Sequence, residues 1–182
     1  MGDELIDICD EANHLTGVQK MKSEAHKDGL WHRAVHIWLY NSKGEILLQW
    51  RAKNKLLYPE MWDISAAGHV SASENPITSG LREIKEEIGI TVNKENLQFF
   101  KIKKVSAVYK NIKNNEFYYV YFLKFDGDAK KLKLQKEEVR DISFFSISKL
   151  ENGLKKYPAK YVPHGDYWYE VIAEVKRKLK RK

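Results

Sequence analysis

The sequence predicts an α+β fold, arranged as an α/β/α sandwich. Runs rich in β-branched and aromatic residues stand both before and after one amphipathic segment, residues 76–88. A second amphipathic segment, residues 167–179, follows the last of these runs. Strands on both sides of a central helix, with another helix at the end, favour helices packed on the faces of one sheet.

Composition predicts one domain with a short N-terminal extension, divided as residues 1–29 and 30–182. The hydrophobic content of 43% suffices for a core. No apolar run reaches the length of about 18 residues that a membrane span needs, and residues 1–10 lack the apolar stretch of a secretory signal. Cys9 is the single cysteine, which excludes a disulfide within the chain. We therefore expect a cytoplasmic protein.

The net charge of +7 raises the question of a nucleic-acid partner. Six of the basic residues lie in residues 176–182, the frayed end of the last helix, and the others are scattered singly. This distribution argues against a nucleic-acid-binding function. A positive field also attracts small molecules that carry phosphate groups.

The first half of the chain predicts a hairpin and a loop before the central helix. Residues 32–40 and 45–50 read as strands joined by a turn at 41–44. Residues 58–62 contain a proline and read as a loop, and residues 63–68 form a short strand that leads to the helix. Before residue 30 the polar, mixed sequence indicates at most one short helix.

The second half predicts two long strands, residues 97–109 and 116–125, and a further strand at 142–145. A short helix starts near Ser146, and Asp166 is placed to cap the last helix. The residues expected on or near the buried side of that last helix are Tyr167, Val171, Ala173 and Val175.

Residues 76–88 carry start and stop signals for a helix. Pro76 is tolerated in a first turn, Asn75 or Ser73 can serve as N-cap, and Gly89 is the expected residue just past the end. An apolar stripe at helical spacing is expected to face the core: Ile77, Leu81, Ile84 and Ile88.

Three carboxylates share another face of this helix, roughly opposite the stripe. Glu83 lies three residues from Glu86 and four from Glu87, so like charges stand side by side. A divalent cation removes that repulsion, and oxygen ligands suit Mg²⁺ or Mn²⁺. A solvated acidic helix face is the alternative for such a spacing taken alone.

Nine positions from Gly68 to Ile90 form the pattern G-x5-E-x7-R-E-U-x-E-E-x-G-U, where U is a bulky aliphatic residue. Average residue usage gives such a pattern in roughly one chain of this length in 10^8. The segment resembles the defining box of the Nudix hydrolases. That resemblance implies the Nudix fold, with a mixed β-sheet flanked by helices, and hydrolysis of a diphosphate linkage in a small molecule.

The resemblance and the residue chemistry together suggest roles. A metal site would use Glu83, Glu86, Glu87 and, as often in the family, the Gly68 carbonyl. Arg82 has donors that can hold Glu74 or a metal-binding carboxylate in place, although an ordinary surface ion pair is an alternative. The general base is either Glu86 or, as in some relatives, a later residue matched here by Glu138. Phosphate contacts are expected from Arg51 and Lys55.

Flanking segments resemble the branch that contains isopentenyl-diphosphate isomerase. Those isomerases carry a cysteine where this chain has Ala67, and a pair of glutamates where it has Asn114 and Glu116. Because alanine cannot transfer a proton, isomerase activity becomes the alternative rather than the expectation. His32 and His69 match metal-binding histidines of the isomerases, which leaves a second metal site open. A non-catalytic binding module is a further alternative, and neither the substrate nor the oligomeric state, a homodimer included, can be read from the sequence.

Overall fold

The computed structural model describes residues 3–110 and 112–180. Expectations that touch Met1, Gly2, Asn111, Arg181 or Lys182 lie outside the described residues at those positions. The described strands are β1 Leu5–Cys9, β2 Leu15–Met21, β3 Trp31–Tyr40, β4 Glu45–Arg51, β5 Trp62–Asp63, β6 Ala66–His69, β7 Gln98–Tyr109, β8 Ile112–Lys124 and β9 Val139–Ser146. The helices are α1 Lys22–Asp28, α2 Pro76–Ile88, α3 Ile147–Lys156 and α4 Tyr167–Lys180, with short 3-10 turns at Lys94–Asn96, Ala129–Lys131 and Pro158–Lys160.

One mixed sheet organises the molecule, and β3 lies at its centre. β3 runs antiparallel to β1, β4 and β6, and parallel to β8 along a register from His32–Glu116 to Tyr40–Lys124. β7 extends the sheet beyond β8, and β9 pairs with β4. The mixed sheet predicted through the family resemblance is confirmed.

Helices cover both faces of the sheet. Ile84 and Ile88 of α2 pack on one face against side chains such as Ile37 of β3. On the other face, α3 and α4 contribute Leu150, Trp168 and Val171 to a core that includes Trp38 and Phe122. The predicted α/β/α sandwich is therefore confirmed. Among the described residues, no helix is both long enough and apolar enough to span a membrane.

The sheet opens between β3 and β4, and this opening positions the site described below. The two strands pair at Tyr40 and Ile46 and then separate around the segment that contains β5 and β6. Ser65 bridges the gap: its Oγ accepts from the Leu39 N–H at 2.8 Å and donates to the Leu47 carbonyl at 2.5 Å. The backbone groups freed by the separation are thus satisfied.

Helix α2 begins and ends where the sequence predicts. Asn75 caps it by accepting the Thr78 N–H at 3.0 Å, and Gly89 ends it in the left-handed region at φ 72°. The buried face is rotated from the predicted stripe, because Ile77 is 36% exposed while Glu83 and Glu87 are buried beside Ile84 and Ile88. The helix therefore turns two of its carboxylates toward the sheet rather than away from it.

Other elements differ from the prediction in their length or in which of their residues are buried. β8 starts at Ile112 rather than at residue 116, because polar residues of the hairpin continue the pairing with β7. Ala173 is exposed, while Ile172 is buried in its place with Val171 and Val175. The segment before β3 forms two strands as well as the predicted short helix, and β1 joins the sheet through β3. The domain boundary at residue 29 stays a prediction.

Replacing Gly153 of α3 by alanine is expected to destabilise the fold by about 1–3 kcal/mol. A Cβ at this position would lie 2.1 Å from the hydroxyl oxygen of Tyr161 and 2.8 Å from its Cζ. Tyr161 is buried, so its ring has little room to move. The resulting overpacking outweighs the ~0.5–1 kcal/mol that alanine gains over glycine inside a helix. Urea unfolding followed by circular dichroism measures the change.

The matched control is Asn152→Ala, an exposed position in the same helix. This variant should stay within about 0.5 kcal/mol of the parent protein. Equal unfolding midpoints for the Gly153 and Asn152 variants would show that the Tyr161 hydroxyl accommodates a methyl group.

Candidate metal and hydrolysis site

Two buried carboxylates of α2 form the centre of the site. Glu83 is 7% exposed and Glu87 is 3% exposed, whereas the Glu86 side chain is 51% exposed. All three belong to one helix surface, but only the first two face the opening between β3 and β4. Burying two carboxylates near each other is costly unless a cation compensates them.

Glu87 is held by the backbone of β6 and by the side chain of β4. Its Oε2 accepts the Ala67 N–H at 3.1 Å and the Gln49 amide at 3.4 Å. Burial, then the neighbouring Glu83 and to a smaller extent Glu138 raise the pKa of Glu87 to about 8, although Lys55 and the Ala67 N–H act in the opposite direction. The surrounding protein groups therefore disfavour the charged form of this carboxylate, which a bound cation would favour.

Glu83 lies directly against Gly68. A Cβ added to Gly68 would lie 2.1 Å from Cδ of Glu83, so the absent side chain is what makes room for this carboxylate. Burial raises the pKa of Glu83, and Arg82 acts in the opposite direction. The predicted glycine thus has a steric role that the sequence pattern alone does not specify.

Arg82 links the carboxylates to the loop before α2. Its Nη1 donates to Glu83 at 2.7 Å and to Glu86 at 3.3 Å, while Nε and Nη2 each lie 3.4 Å from Glu74. Nη2 also donates to the His69 carbonyl at 3.2 Å and to Ser71. Ser79, which sequence reasoning missed, donates to Glu74 at 2.6 Å. Both predicted partners of Arg82, Glu74 and a carboxylate of the site, are present.

The other predicted residues flank the opening. Lys55 pairs with the buried Glu138, and both groups act electrostatically on Glu87. Arg51 donates to Asp63 at 2.8 Å and to the carbonyls of Leu57 and Tyr58. These bonds use Nε and one hydrogen on each terminal nitrogen, and they tie the loop after β4 to β5. Phosphate binding by Arg51 and Lys55 stays a prediction.

A second group of metal-type ligands lies beside the first. One ligand atom from each of its four residues falls within 4.8 Å of the others: His26, His32, His69 and Glu116. His69 connects the two groups, because its carbonyl accepts from Arg82 while its imidazole Nε2 lies 3.0 Å from Glu116 and 3.3 Å from His26. The three residues singled out from the sequence are thus brought together, and His26 joins them.

The bonds of this second group leave one histidine nitrogen without a hydrogen-bond partner. His32 Nδ1 lies 2.8 Å from the Leu30 carbonyl, which can only accept, so Nδ1 carries a hydrogen. Nε2 is buried and 3.2 Å from Glu116, but it makes no hydrogen bond within the part of the chain that the structure describes. Burial alone would lower the pKa of His69, but Glu116 and Glu4 raise it to about 9. An orphaned imidazole nitrogen beside a carboxylate fits a metal ligand.

Trp62, Phe117 and Tyr109 have aromatic partners within the protein. Trp62 packs against Phe145 and Trp50, while Phe117 lies beside Trp31. Tyr109 at the end of β7 contacts Tyr58 in the loop after β4, at 4.7 Å between ring centroids. Asn114, at the position of the missing isomerase glutamate, donates to Glu116 at 2.5 Å.

A buried carboxylate outside the predicted set also lies here. Asp63 accepts from Arg51 and lies 2.7 Å from Nε2 of His164, and His164 in turn lies close to His36. No spacing in the sequence joins residues 63 and 164, so sequence reasoning had no signal for this pair. His26 was missed for the same reason.

Comparison with known proteins supports the family resemblance. The sequence model of the NUDIX domain matches residues 30–165. The chain is 35% identical over 175 residues to Nudix hydrolase 3 of Arabidopsis thaliana, with 92% of this chain and 23% of that protein covered. It therefore spans about a quarter of that relative. An isopentenyl-diphosphate Delta-isomerase of Serratia proteamaculans is 30% identical over 159 residues, covering 87% and 86% of the two chains.

Solved structures support the fold. The protein DR0079 from Deinococcus radiodurans superposes with a TM-score of 0.68 at 22% identity, covering 96% of this chain and 98% of that one. An Ap4A hydrolase of C. elegans gives a TM-score of 0.55 at 21% identity, covering 83% and 99%. At these identities the similarity concerns the fold alone.

Proposed function

Because the chain belongs to the NUDIX domain family of hydrolases, we propose that it is a Mg²⁺-dependent hydrolase of diphosphate linkages. Its substrate would be a nucleoside diphosphate derivative or a related small molecule. The observation that carries this proposal is the pair of buried carboxylates on α2: Glu83 fills the space that Gly68 leaves, and Glu87 accepts from the Ala67 N–H. A cytoplasmic location remains a prediction that accompanies the proposal.

The residues present fit a hard divalent cation. Glu83, Glu86, Glu87 and the Gly68 carbonyl would supply oxygen ligands only, which suits Mg²⁺ or Mn²⁺. Among the described residues, Arg82 forms ion pairs with Glu74, Glu83 and Glu86 but not with Glu87. When bound, the cation would neutralise charge on the diphosphate oxygens and favour attack by water.

The protein side chains supply positioning and proton transfer. Arg82 fixes the orientation of Glu83, and the Ala67 N–H fixes that of Glu87. In the reaction, a water oxygen forms a bond to phosphorus, the bridging oxygen–phosphorus bond breaks, and the water proton passes to a carboxylate. The two candidates to receive that proton are Glu86, which is exposed on α2, and Glu138, which is ion-paired with Lys55.

A Mg²⁺-dependent screen tests the function. Candidate compounds are nucleoside triphosphates, dinucleoside polyphosphates, nucleotide sugars, coenzyme A and isoprenoid diphosphates, with products identified by phosphorus NMR. Release of phosphate or a nucleoside monophosphate only with Mg²⁺ or Mn²⁺ supports the proposal. Deuterium exchange into isopentenyl diphosphate without phosphate release would favour the isomerase alternative, against which Ala67 speaks. Binding without turnover would favour a non-catalytic module.

We also propose a second metal site at His26, His32, His69 and Glu116. Mixed imidazole and carboxylate ligands suit Zn²⁺ or Mn²⁺ better than Mg²⁺. The unbonded Nε2 of His32 supports the assignment, since its other nitrogen is already fixed by a carbonyl.

His69→Ala is expected to remove one bound Zn²⁺ per chain, because it deletes the imidazole that touches both Glu116 and His26. Metal content after dialysis, measured by atomic emission, gives the stoichiometry. His14→Ala, at an exposed position, is the control and should retain the parent value. Unchanged Zn²⁺ content in the His69 variant would contradict the second site.

A further inference from the structure

A cleft on the sheet face that carries α3 and α4 has no part in the proposed hydrolysis. Its volume is about 460 Å³, within the range of roughly 300–1,000 Å³ that small-molecule sites occupy. Two indoles, two cationic side chains and one carboxylate line it: Trp50, Trp62, Arg140, Asp141 and Lys160. The lining thus combines flat apolar surface with charge.

Three of these side chains form a row across neighbouring strands. Trp50 of β4 is the register partner of Trp62 on β5 and of Asp141 on β9, and register partners point to the same face of a sheet. Trp62 packs against Phe145, which belongs to the core under α3 and α4. The residue after Lys160 bridges to Trp62, which brings this lysine to the row. The sheet itself therefore builds the cleft.

The cleft is separate from the carboxylates of α2. Gln49, the residue before Trp50, donates to Glu87. Successive residues of a strand point to opposite faces, as Leu47 and Leu48 show by packing in the two different cores. Trp50 therefore lies on the other face of β4 from Glu87, and the thickness of the sheet separates the cleft from the proposed Mg²⁺ site.

Both indoles of the cleft keep a donor available. Among the described residues, Nε1 of Trp50 and of Trp62 makes no hydrogen bond, whereas Nε1 of Trp38 and of Trp168 each donates to an oxygen. The one buried side-chain polar atom without a described partner is His32 Nε2, so solvent reaches the two indole nitrogens of the cleft. Each of these rings is half-buried and offers apolar surface beside its N–H.

The charged residues of the cleft favour an anion. Lys160 makes no ion pair with any residue that the structure describes. Arg140 uses only Nη1 in its ion pair with Glu60, at 2.9 Å, so Nε and Nη2 have no described side-chain partner. Asp141 accepts the next backbone N–H with one oxygen, and its other oxygen is unpaired within the described residues. Donors therefore outnumber acceptors in the lining.

We propose that this cleft binds a nucleoside monophosphate, with its base on the two indoles and its phosphate at Lys160 and Arg140. The planes of Trp50 and Trp62 are 71° apart, so a base stacked on one ring meets the other edge-on. Stacking on aromatic rings and charge-assisted hydrogen bonds to phosphate are the interactions that this lining supplies. The unpaired oxygen of Asp141 accepts from an exocyclic amine of the base.

Other classes of small ligand fit this lining less well. A cationic ligand meets two like charges and one carboxylate, and an uncharged aromatic molecule leaves both cations without a partner. A phosphate without a base leaves the indoles uncovered. The proposal is independent of the proposed hydrolase function, because no residue of the cleft belongs to that site.

Calorimetric titration of the metal-free protein in EDTA tests the site, with AMP, adenosine and ribose 5-phosphate as probes. AMP should bind once per chain. Adenosine and ribose 5-phosphate should each bind at least about 5-fold more weakly, since one lacks the phosphate and the other the base. AMP should also quench tryptophan fluorescence, because two of the five tryptophans line the cleft.

Two variants test the two halves of the cleft. Trp50→Leu should weaken AMP binding about 5- to 100-fold by removing stacking surface. Lys160→Glu should weaken it about 10-fold or more by reversing the charge at the phosphate. Lys160 is exposed, so this variant decides the test if Trp50→Leu does not fold. Lys130→Glu is the matched control, because it makes the same charge change beside Ala129, which packs on the α2 side, and should keep the parent affinity.

Glu87→Gln should also bind AMP with the parent affinity, because Glu87 lies on the opposite face of β4. Loss of binding in this variant would overturn the proposal by placing AMP at the hydrolysis site. Absence of binding at millimolar AMP, or equal affinities in the parent, Trp50→Leu and Lys160→Glu proteins, would also overturn it. Tighter binding of an RNA hexamer than of AMP at the same residues would overturn the assignment to a free nucleotide.

Discussion

Glu87→Gln is expected to lower Mg²⁺-dependent hydrolysis about 10^3-fold or more. Removing one anionic ligand of the cation forfeits several kcal/mol of charge stabilisation in the transition state, and about 4 kcal/mol corresponds to 10^3 in rate. The substitution keeps the size of the side chain, so the loss reports charge rather than packing. Initial rates at saturating Mg²⁺ measure the loss of hydrolysis. Calorimetric Mg²⁺ titration measures the effect of losing one ligand on metal binding.

The same variant should stay folded. The glutamine side chain retains a carbonyl oxygen that can accept the Ala67 N–H, so the backbone contact made by Glu87 survives the substitution. Because burial and then Glu83 raise the pKa of Glu87 to about 8, the metal-free protein already disfavours a charge at this position. The thermal unfolding midpoint of the variant without metal should equal or exceed that of the parent.

Lys85→Gln is the control for this helix, because it also removes one charge but lies on the exposed side. Its turnover should match that of the parent protein. Undiminished hydrolysis by a folded Glu87 variant would refute the assignment of the site to α2.

Local signals explain why α2 could be predicted to the residue. Its first turn is set by Asn75 and Pro76 and its end by Gly89, and each acts within one turn of the chain. The carboxylate spacing is equally local, so the cluster itself was predictable. The direction in which the carboxylate cluster points was not predictable. It depends on the rotation of α2 about its axis, which is set by the contacts of Ala67 and Gln49 with Glu87.

Contacts between distant segments account for what the sequence left open. His26 reaches His69 only because α1 lies beside β8, and its ring Nδ1 lies 3.4 Å from the Lys113 carbonyl. Asp63 and His164 meet across 101 residues. β1 and β2 belong to a sheet edge whose register is fixed by pairing rather than by periodicity. None of these pairings leaves a spacing pattern in a single sequence.

Gly68→Ala is expected to reduce hydrolysis about 10^2- to 10^3-fold, again several kcal/mol of lost transition-state stabilisation. The new Cβ would lie 2.1 Å from Cδ and from Oε1 of Glu83, so the carboxylate must leave its present place. Arg82 and burial restrict where it can go. Steady-state rates and a Mg²⁺ titration would show weaker metal binding, while the free energy of unfolding falls by ~1–3 kcal/mol.

Gly80→Ala is the matched control, because a Cβ there would meet Leu97 and Ile37 at 3.6–3.8 Å, ordinary contact distances. Gly80 lies inside α2, so alanine should raise stability by about 0.5–1 kcal/mol and leave turnover unchanged. Loss of activity in both glycine variants would indicate a general sensitivity of the helix rather than displacement of Glu83.

A double-mutant cycle separates the two roles that Gly68 can have. If its substitution acts by displacing Glu83, then Gly68→Ala should have little further effect once Glu83 has been replaced by alanine, since the clash and the ligand are both gone. A second, equal loss in that background would instead place the effect on the Gly68 carbonyl, the predicted backbone ligand. Either result distinguishes a glycine that leaves space for a carboxylate from one whose backbone itself holds the cation.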